Sequence, residues 1–177
     1  MAFTKELDKH IEVTKTTIKD YSNELNNKFM ENHSYPEFLK EFLLEYGGLE
    51  IPCYSKEHLE QIVVYRILIS ANFKHSSAEI PLAYSEVLNM PLYRIGRLIP
   101  ENDEIVVDEN GYVYLLGDTA YCCGKNIFEG LEAIFRIKVS DTLELDPTND
   151  NDVVWLEYKN GENRPVDLET YEFNYDF

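Results

Sequence analysis

Apolar and polar residues alternate along the chain with periods that change from helical to strand-like. Over residues 4–30, Leu7, Ile11, Ile18, Tyr21, Leu25 and Phe29 recur at helical spacings with charged residues between them, which predicts an amphipathic helix along one edge of the core. Ser34 and Pro36 suit the start of a second helix, and Phe38, Leu39, Phe42, Leu43 and Tyr46 give it a wide apolar face before Gly47-Gly48 stops it. Residues 57–70 are rich in β-branched side chains and read as a short helix leading into a strand at about 63–69. A helix follows over 78–89, with Ile80, Ala83, Tyr84, Val87 and Leu88 on one side and Asn89-Met90-Pro91 as its stop.

From residue 92 the period shortens. Tyr93, Ile95 and Leu98 alternate, and residues 104–109 and 112–116 flank Asn110-Gly111, the strongest short-range hairpin signal. A two-residue turn there sets Val107 across from Tyr114 and Ile105 across from Leu116. Both faces of this hairpin are apolar, so it belongs inside a sheet. A further helix runs over about 126–137, carrying Ile127, Leu131, Ile134 and Phe135, with Asn126 as N-cap and Glu129 completing something close to a capping box. Val153 to Tyr158 then read as a strand entering a hairpin at Asn160-Gly161, whose return strand Pro165 pushes toward a sheet edge. Leu168 to Phe177 mix aromatic and acidic residues and read as either ordered or frayed. No repeat or linker interrupts the pattern. The expectation is one α+β domain over 1–177: a core at about 38–137, the N-terminal helix 4–30 and an acidic C-terminal extension 139–177.

Charge sharpens this picture. Thirty-three Asp and Glu against 16 Lys and Arg give a formal net charge of −17. Nucleic acid and anionic membrane are both repelled by such a chain, whereas a basic protein is drawn in at a rate that falls as salt rises. The same charge also serves solubility alone. The extension holds eleven of the acids and, as bases, only Lys159 and Arg164.

Catalytic chemistry is hard to find. There is no phosphate-binding glycine loop, no His-Glu-x-x-His and no Gly-x-Ser-x-Gly. His10, His33, His58 and His75 are scattered through polar stretches and read as surface residues. Cys53, Cys122 and Cys123 have no metal or redox spacing, and adjacent Cys122 and Cys123 point apart, as small hydrophobes of a strand or loop. No catalytic residue, metal or cofactor is expected. Met1 to Asp8 contain no apolar signal core and no apolar run approaches membrane-spanning length, which makes the cytoplasm the expected compartment.

Four segments in order carry a family resemblance. Phe38 to Leu49 resembles the helix and Gly-Gly-Leu that open the core of the SUKH superfamily. Leu92-Tyr93-Arg94-Ile95-Gly96 is similar to its short strand ending in Gly, and Ile105 to Tyr114 to its central hairpin. Gly124 and Ile127 to Ile134 resemble the helix that closes the core, with Gly130 where Ala is common. Order and spacing fit the third SUKH subgroup over about 38–137; the long N-terminal helix and the segment beyond 138 stand outside the resemblance.

What the resemblance implies is a twisted, mainly antiparallel sheet with helices packed on it, and no enzyme. Bacterial members of the superfamily are mostly immunity proteins against polymorphic toxins, many of them nucleases; eukaryotic relatives are interaction modules, which leaves an intracellular scaffold as the alternative. A basic toxin domain whose active site is covered by this chain is the expected partner. Candidate contacts are Glu101, Asp103 and Glu104 before the hairpin and Asp150, Asp152, Trp155, Glu157 and Tyr158 in the extension, as carboxylates that stand in for phosphates and aromatic anchors. For Trp155 core packing is the competing reading, and for each acid a solvated face.

Overall fold

The computed structural model describes residues 5, 30, 34–53, 65–71, 79–136, 142–146 and 152–175. The N-terminal helix (Lys5 and Met30 apart), the helical start of 57–70, all four histidines and Asp150 lie outside the described residues.

Among the described residues the elements run α1 (Glu37–Tyr46), β1 (Glu50–Pro52), β2 (Arg66–Ile69), α2 (Glu79–Leu88), β3 (Tyr93–Ile99), β4 (Asp103–Val107), β5 (Val113–Leu116), β6 (Ala120–Gly124), α3 (Ile127–Phe135), β7 (Leu143–Leu145), β8 (Trp155–Lys159) and β9 (Glu162–Val166). The nine strands form one sheet in chain order, every neighbouring pair antiparallel. The expected α+β fold, an antiparallel sheet with helices packed on it, is the one found.

Local chemistry explains where the elements stop. Gly47 donates its N–H to Leu43 O at 2.9 Å as α1 ends. Asn126 caps α3, its side-chain oxygen accepting the N–H groups of Phe128 and Glu129 at 3.1 Å each. Glu129 reaches back to Lys125 N at 3.4 Å, one residue before the expected capping-box partner. Asn160 and Gly161 both take positive φ and close the β8–β9 hairpin with Lys159 opposite Glu162. Pro165 sits on β9, an edge strand.

The β4–β5 hairpin departs from its expected register by one residue. Val107 faces Val113, Val106 faces Tyr114 and Ile105 faces Leu115. The cause is Asp108, whose Oδ1 accepts the N–H groups of Asn110 at 2.8 Å and Tyr112 at 2.9 Å, turning the chain one residue early. The loop is therefore Glu109-Asn110-Gly111, with Gly111 in the left-handed region at φ 94°, as three-residue hairpin loops require. A one-residue slip exchanges faces, and it is tolerated here because both faces are buried.

On one face Ile105, Val107, Val113, Leu115 and Cys123 pack under Leu39, Phe42 and Leu43 of α1 and Leu131, Ile134 and Phe135 of α3. On the other, Val106, Tyr114, Leu116 and Cys122 pack with Leu88 of α2, Leu143 and Trp155. Cys122 and Cys123 thus point to opposite faces, as expected of strand neighbours. The chain after β9 continues this second layer, with Leu168, Tyr171 and Phe173 against it, while Tyr175 packs on the first and its hydroxyl donates to Cys123 O at 2.5 Å.

Helix α2 does not bury the whole apolar side read from its sequence. Pro81 and Leu88 are buried and Tyr84 half-buried, while Ile80 and Val87 point to solvent. Pro81 at the first turn takes an inward place and Ile80 does not.

Candidate partner-binding face

In a meander, alternate turns return to the same end of the sheet. The turn between β3 and β4 and the loop Gly117–Thr119 between β5 and β6 meet in this way, and both carry acids. Glu101 is exposed and its Oε1 accepts the Tyr65 hydroxyl at 3.0 Å. That bond is the main cause that lifts the Tyr65 phenol above its ordinary value. Asp103, the first residue of β4, is half-buried and lies so close to Gly117 that a Cβ there would overlap its carboxylate. Its carboxyl titrates above the ordinary range, first because burial disfavours the charge and then because Glu101 and Asp118 repel it. Asp118 is exposed, and its charge also adds to burial in lifting the Tyr84 phenol, whose hydroxyl lies 3.5 Å from Gly117 O. Three carboxylates and two tyrosines therefore share one end of the sheet. The neighbouring cations Arg66 and Arg97 are paired with Glu50 and Glu104.

Glu104 has a different role from the one expected. Strand alternation turns it away from Asp103, and it is 2% exposed, held at 2.6 Å by both Arg94 Nε and Arg97 Nη2. A carboxylate committed to two guanidinium groups inside the fold is not offered to a partner. Trp155 likewise follows the packing alternative: it is buried, its ring stacked on Tyr114 with centroids 5.7 Å apart.

The remaining candidates sit on the C-terminal hairpin. Asp152 and Tyr158 are exposed. Glu157 is half-buried, accepting the Tyr171 hydroxyl at 3.1 Å with Lys159 Nζ at 3.7 Å. Strand β8 stands four places from β4 in the sheet, about 19 Å at ordinary strand spacing, so these residues form a second group. Asp118, Tyr65 and Tyr84 were missing from the sequence-derived set. Gly117-Asp118 between two apolar runs is the turn signal that places Asp118 beside the β3–β4 turn.

Elsewhere the chemistry is quiet. An open groove of about 350 Å³ lies between Phe38, Gly111, Lys125 and Phe128, mostly apolar in lining. The Cys53 and Cys123 thiols are each pushed up to about 12 by burial, and burial also holds Cys122 well above its ordinary value, which keeps all three as unreactive thiols at neutral pH. Among the described residues no group of three or more His, Cys, Asp or Glu is placed to hold a metal ion. No helix among them is long and apolar enough to cross a membrane.

Carboxylates thus gather at one end of a helix-covered antiparallel meander. Residues 5–136 match the model of the SUKH-3 immunity protein family, and the chain belongs to that family. The match takes in part of the N-terminal stretch that the resemblance had left outside, and it ends at α3, so that β7, β8 and β9 extend the sheet beyond the matched residues. Neither a curated protein nor a solved structure matches the chain.

Proposed function

We propose that this chain is a cytoplasmic antitoxin that binds a cognate polymorphic toxin, a basic nuclease, and neutralises it by covering the active site, performing no reaction of its own. The observation that carries the proposal is the grouping of Glu101, Asp103 and Asp118 at one end of an immunity-family fold with a net charge of −17. A nuclease site holds phosphates with Lys and Arg, and carboxylates fixed on a rigid sheet end present those cations with substitutes for phosphate oxygens. Asp103 is disfavoured as an anion first by burial and then by repulsion from Glu101 and Asp118, and an approaching cation offsets that repulsion while it forms a new pair. Asp152, Glu157 and Tyr158, with Asp150 beside them in sequence, supply a second area of contact on the C-terminal hairpin.

The test uses the toxin domain encoded next to this chain. It should co-elute with the chain and lose nuclease activity at equimolar ratio, and its association rate should fall steeply with added salt. Glu101→Gln/Asp103→Asn/Asp118→Asn should slow association while the fold persists. Full toxin activity in the presence of excess chain rejects the proposal.

A further inference from the structure

Helix α2 carries a face that is exposed among the described residues. At about 100° per residue, the buried Pro81 and Leu88 fix the inward direction, which places Glu79 and Glu86 at the centre of the outer face. Ile80 and Val87 flank them on one side and Leu82 on the other. All five are exposed, Leu82 by 60% and Val87 by 54%. Helix α2 contains no Lys or Arg, so nothing on it offsets the two acids. Tyr84, next to the Ile80–Val87 flank, reaches Gly117 O and feels the charge of Asp118, so the helix face runs on into the acidic sheet end.

We infer that the outer face of α2 is the apolar anchor of the partner site, and that its occupant is a cationic protein surface whose Lys or Arg side chains pair with Glu79 and Glu86 while apolar neighbours pack on Leu82 and Val87. The inference rests on the immunity reading above and adds the anchoring element to it. Charge complementarity selects the occupant. Carboxylates set between apolar flanks repel an anionic membrane and nucleic acid alike, but match the aliphatic stems and charged heads of basic side chains. Acids at the sheet end govern encounter; the aliphatic side chains, once desolvated, govern how long the complex lasts.

The same toxin domain tests this against the full-length chain, in its parent form and as Ile80→Ser/Leu82→Ser/Val87→Ser. These side chains are solvent-facing, so the variant should keep the parent's circular dichroism and melting temperature. It should keep the salt dependence of association but dissociate faster, on the order of tenfold or more. An unchanged dissociation rate overturns the role of α2 and leaves the immunity reading standing. A parent chain that neither binds nor inhibits the toxin rejects that reading and this inference with it. If the triple variant unfolds, amide exchange on the parent complex decides: added protection over 79–88 supports the anchor, and none there refutes it. Binding of the parent to phosphatidylcholine–phosphatidylserine vesicles, lost in the triple variant, assigns the face to a membrane and also refutes it.

Discussion

Trp155 lies with its ring against Tyr114, at an interplanar angle of 28°, and this contact ties the C-terminal hairpin to the centre of the second core layer. Tyr114 belongs to β5, inside the family-matched span; Trp155 opens β8, beyond it. The extension is thus structural, covering Val106, Tyr114, Leu116 and Cys122 on a sheet face that would otherwise meet water. Trp155→Ala should cost about 3–5 kcal/mol, read from the urea midpoint by circular dichroism, since it removes the only Trp and leaves a cavity beside Tyr114. A chain ended after residue 136 should bind a hydrophobic dye or aggregate, because a contiguous apolar face is uncovered. A soluble, cooperatively melting 1–136 fragment would refute this account of the extension.

Asp108 sets the register of the central hairpin. Its Oδ1 takes two backbone N–H groups of the loop, and its Oδ2 takes the Tyr114 hydroxyl at 3.0 Å within the second core layer. Burial nevertheless wins over these bonds and raises its carboxyl above the ordinary value. Asp108→Ala strands three donors at once, and at about 1–3 kcal/mol for each poorly solvated one the loss should reach about 3 kcal/mol or more. Tyr114→Phe removes one bond without stranding the carboxylate and should cost about 1 kcal/mol. Urea titrations measure both, and amide exchange at Tyr112 should rise in the alanine variant. Equal, small effects of the two substitutions would refute the keystone role.

How much of this was readable in the chain depends on the range of the interactions involved. Helices α1 and α3 were legible because their caps and apolar spacings are local, as with Asn126 ahead of Ile127 and Gly47 after Tyr46. The Asn160-Gly161 hairpin was legible for the same reason. The Asn110-Gly111 turn was placed correctly but misregistered, since an Asp side chain two residues upstream competes with the turn's own geometry. Strands β1 and β7, three residues each, are too short to show a period and exist only through pairing with β2, β6 and β8. At the candidate site, Glu101 and Asp103 were legible as acids before a hairpin. Asp118 was not, because it joins them only when the meander folds, and Glu104 was misassigned because its partners, Arg94 and Arg97, lie on the neighbouring strand.

Asp103 connects the site to stability. Its carboxyl is raised in the folded chain relative to an unfolded value of about 3.9, so at neutral pH the native state carries an ionised group that the unfolded state holds more easily. Protonation removes that penalty as pH falls through the raised value, and below about pH 3.9 both states are protonated and the contribution is constant. Asp103→Asn should therefore be more stable than the parent at neutral pH, with the gap closing on acidification. Thermal melts across that range measure it. The same substitution should slow toxin association, the trade expected where a strained group serves binding. A variant less stable than the parent at neutral pH would show that the carboxylate is satisfied in the fold and not held in reserve for a partner.

The closing helix depends on a missing side chain. Gly130 lies in the middle of α3, where glycine lowers helix propensity by about 1 kcal/mol relative to alanine, yet a Cβ there would overlap the Val113 side chain on β5. Close approach of helix to sheet outweighs propensity at this position. Gly130→Ala should consequently destabilise the chain by about 1–3 kcal/mol, since overpacking exceeds the propensity gain. Val113→Gly, which removes every Val113 side-chain atom that the added Cβ would overlap, should also destabilise on its own by vacating core volume. Made together, the two changes exchange volume across the contact, so the double variant should be more stable than the sum of the single effects predicts, by about 1 kcal/mol. Urea unfolding of the four chains measures the coupling. Strict additivity would mean that α3 can lift from β5 without loss, and that Gly130 is not what sets their distance.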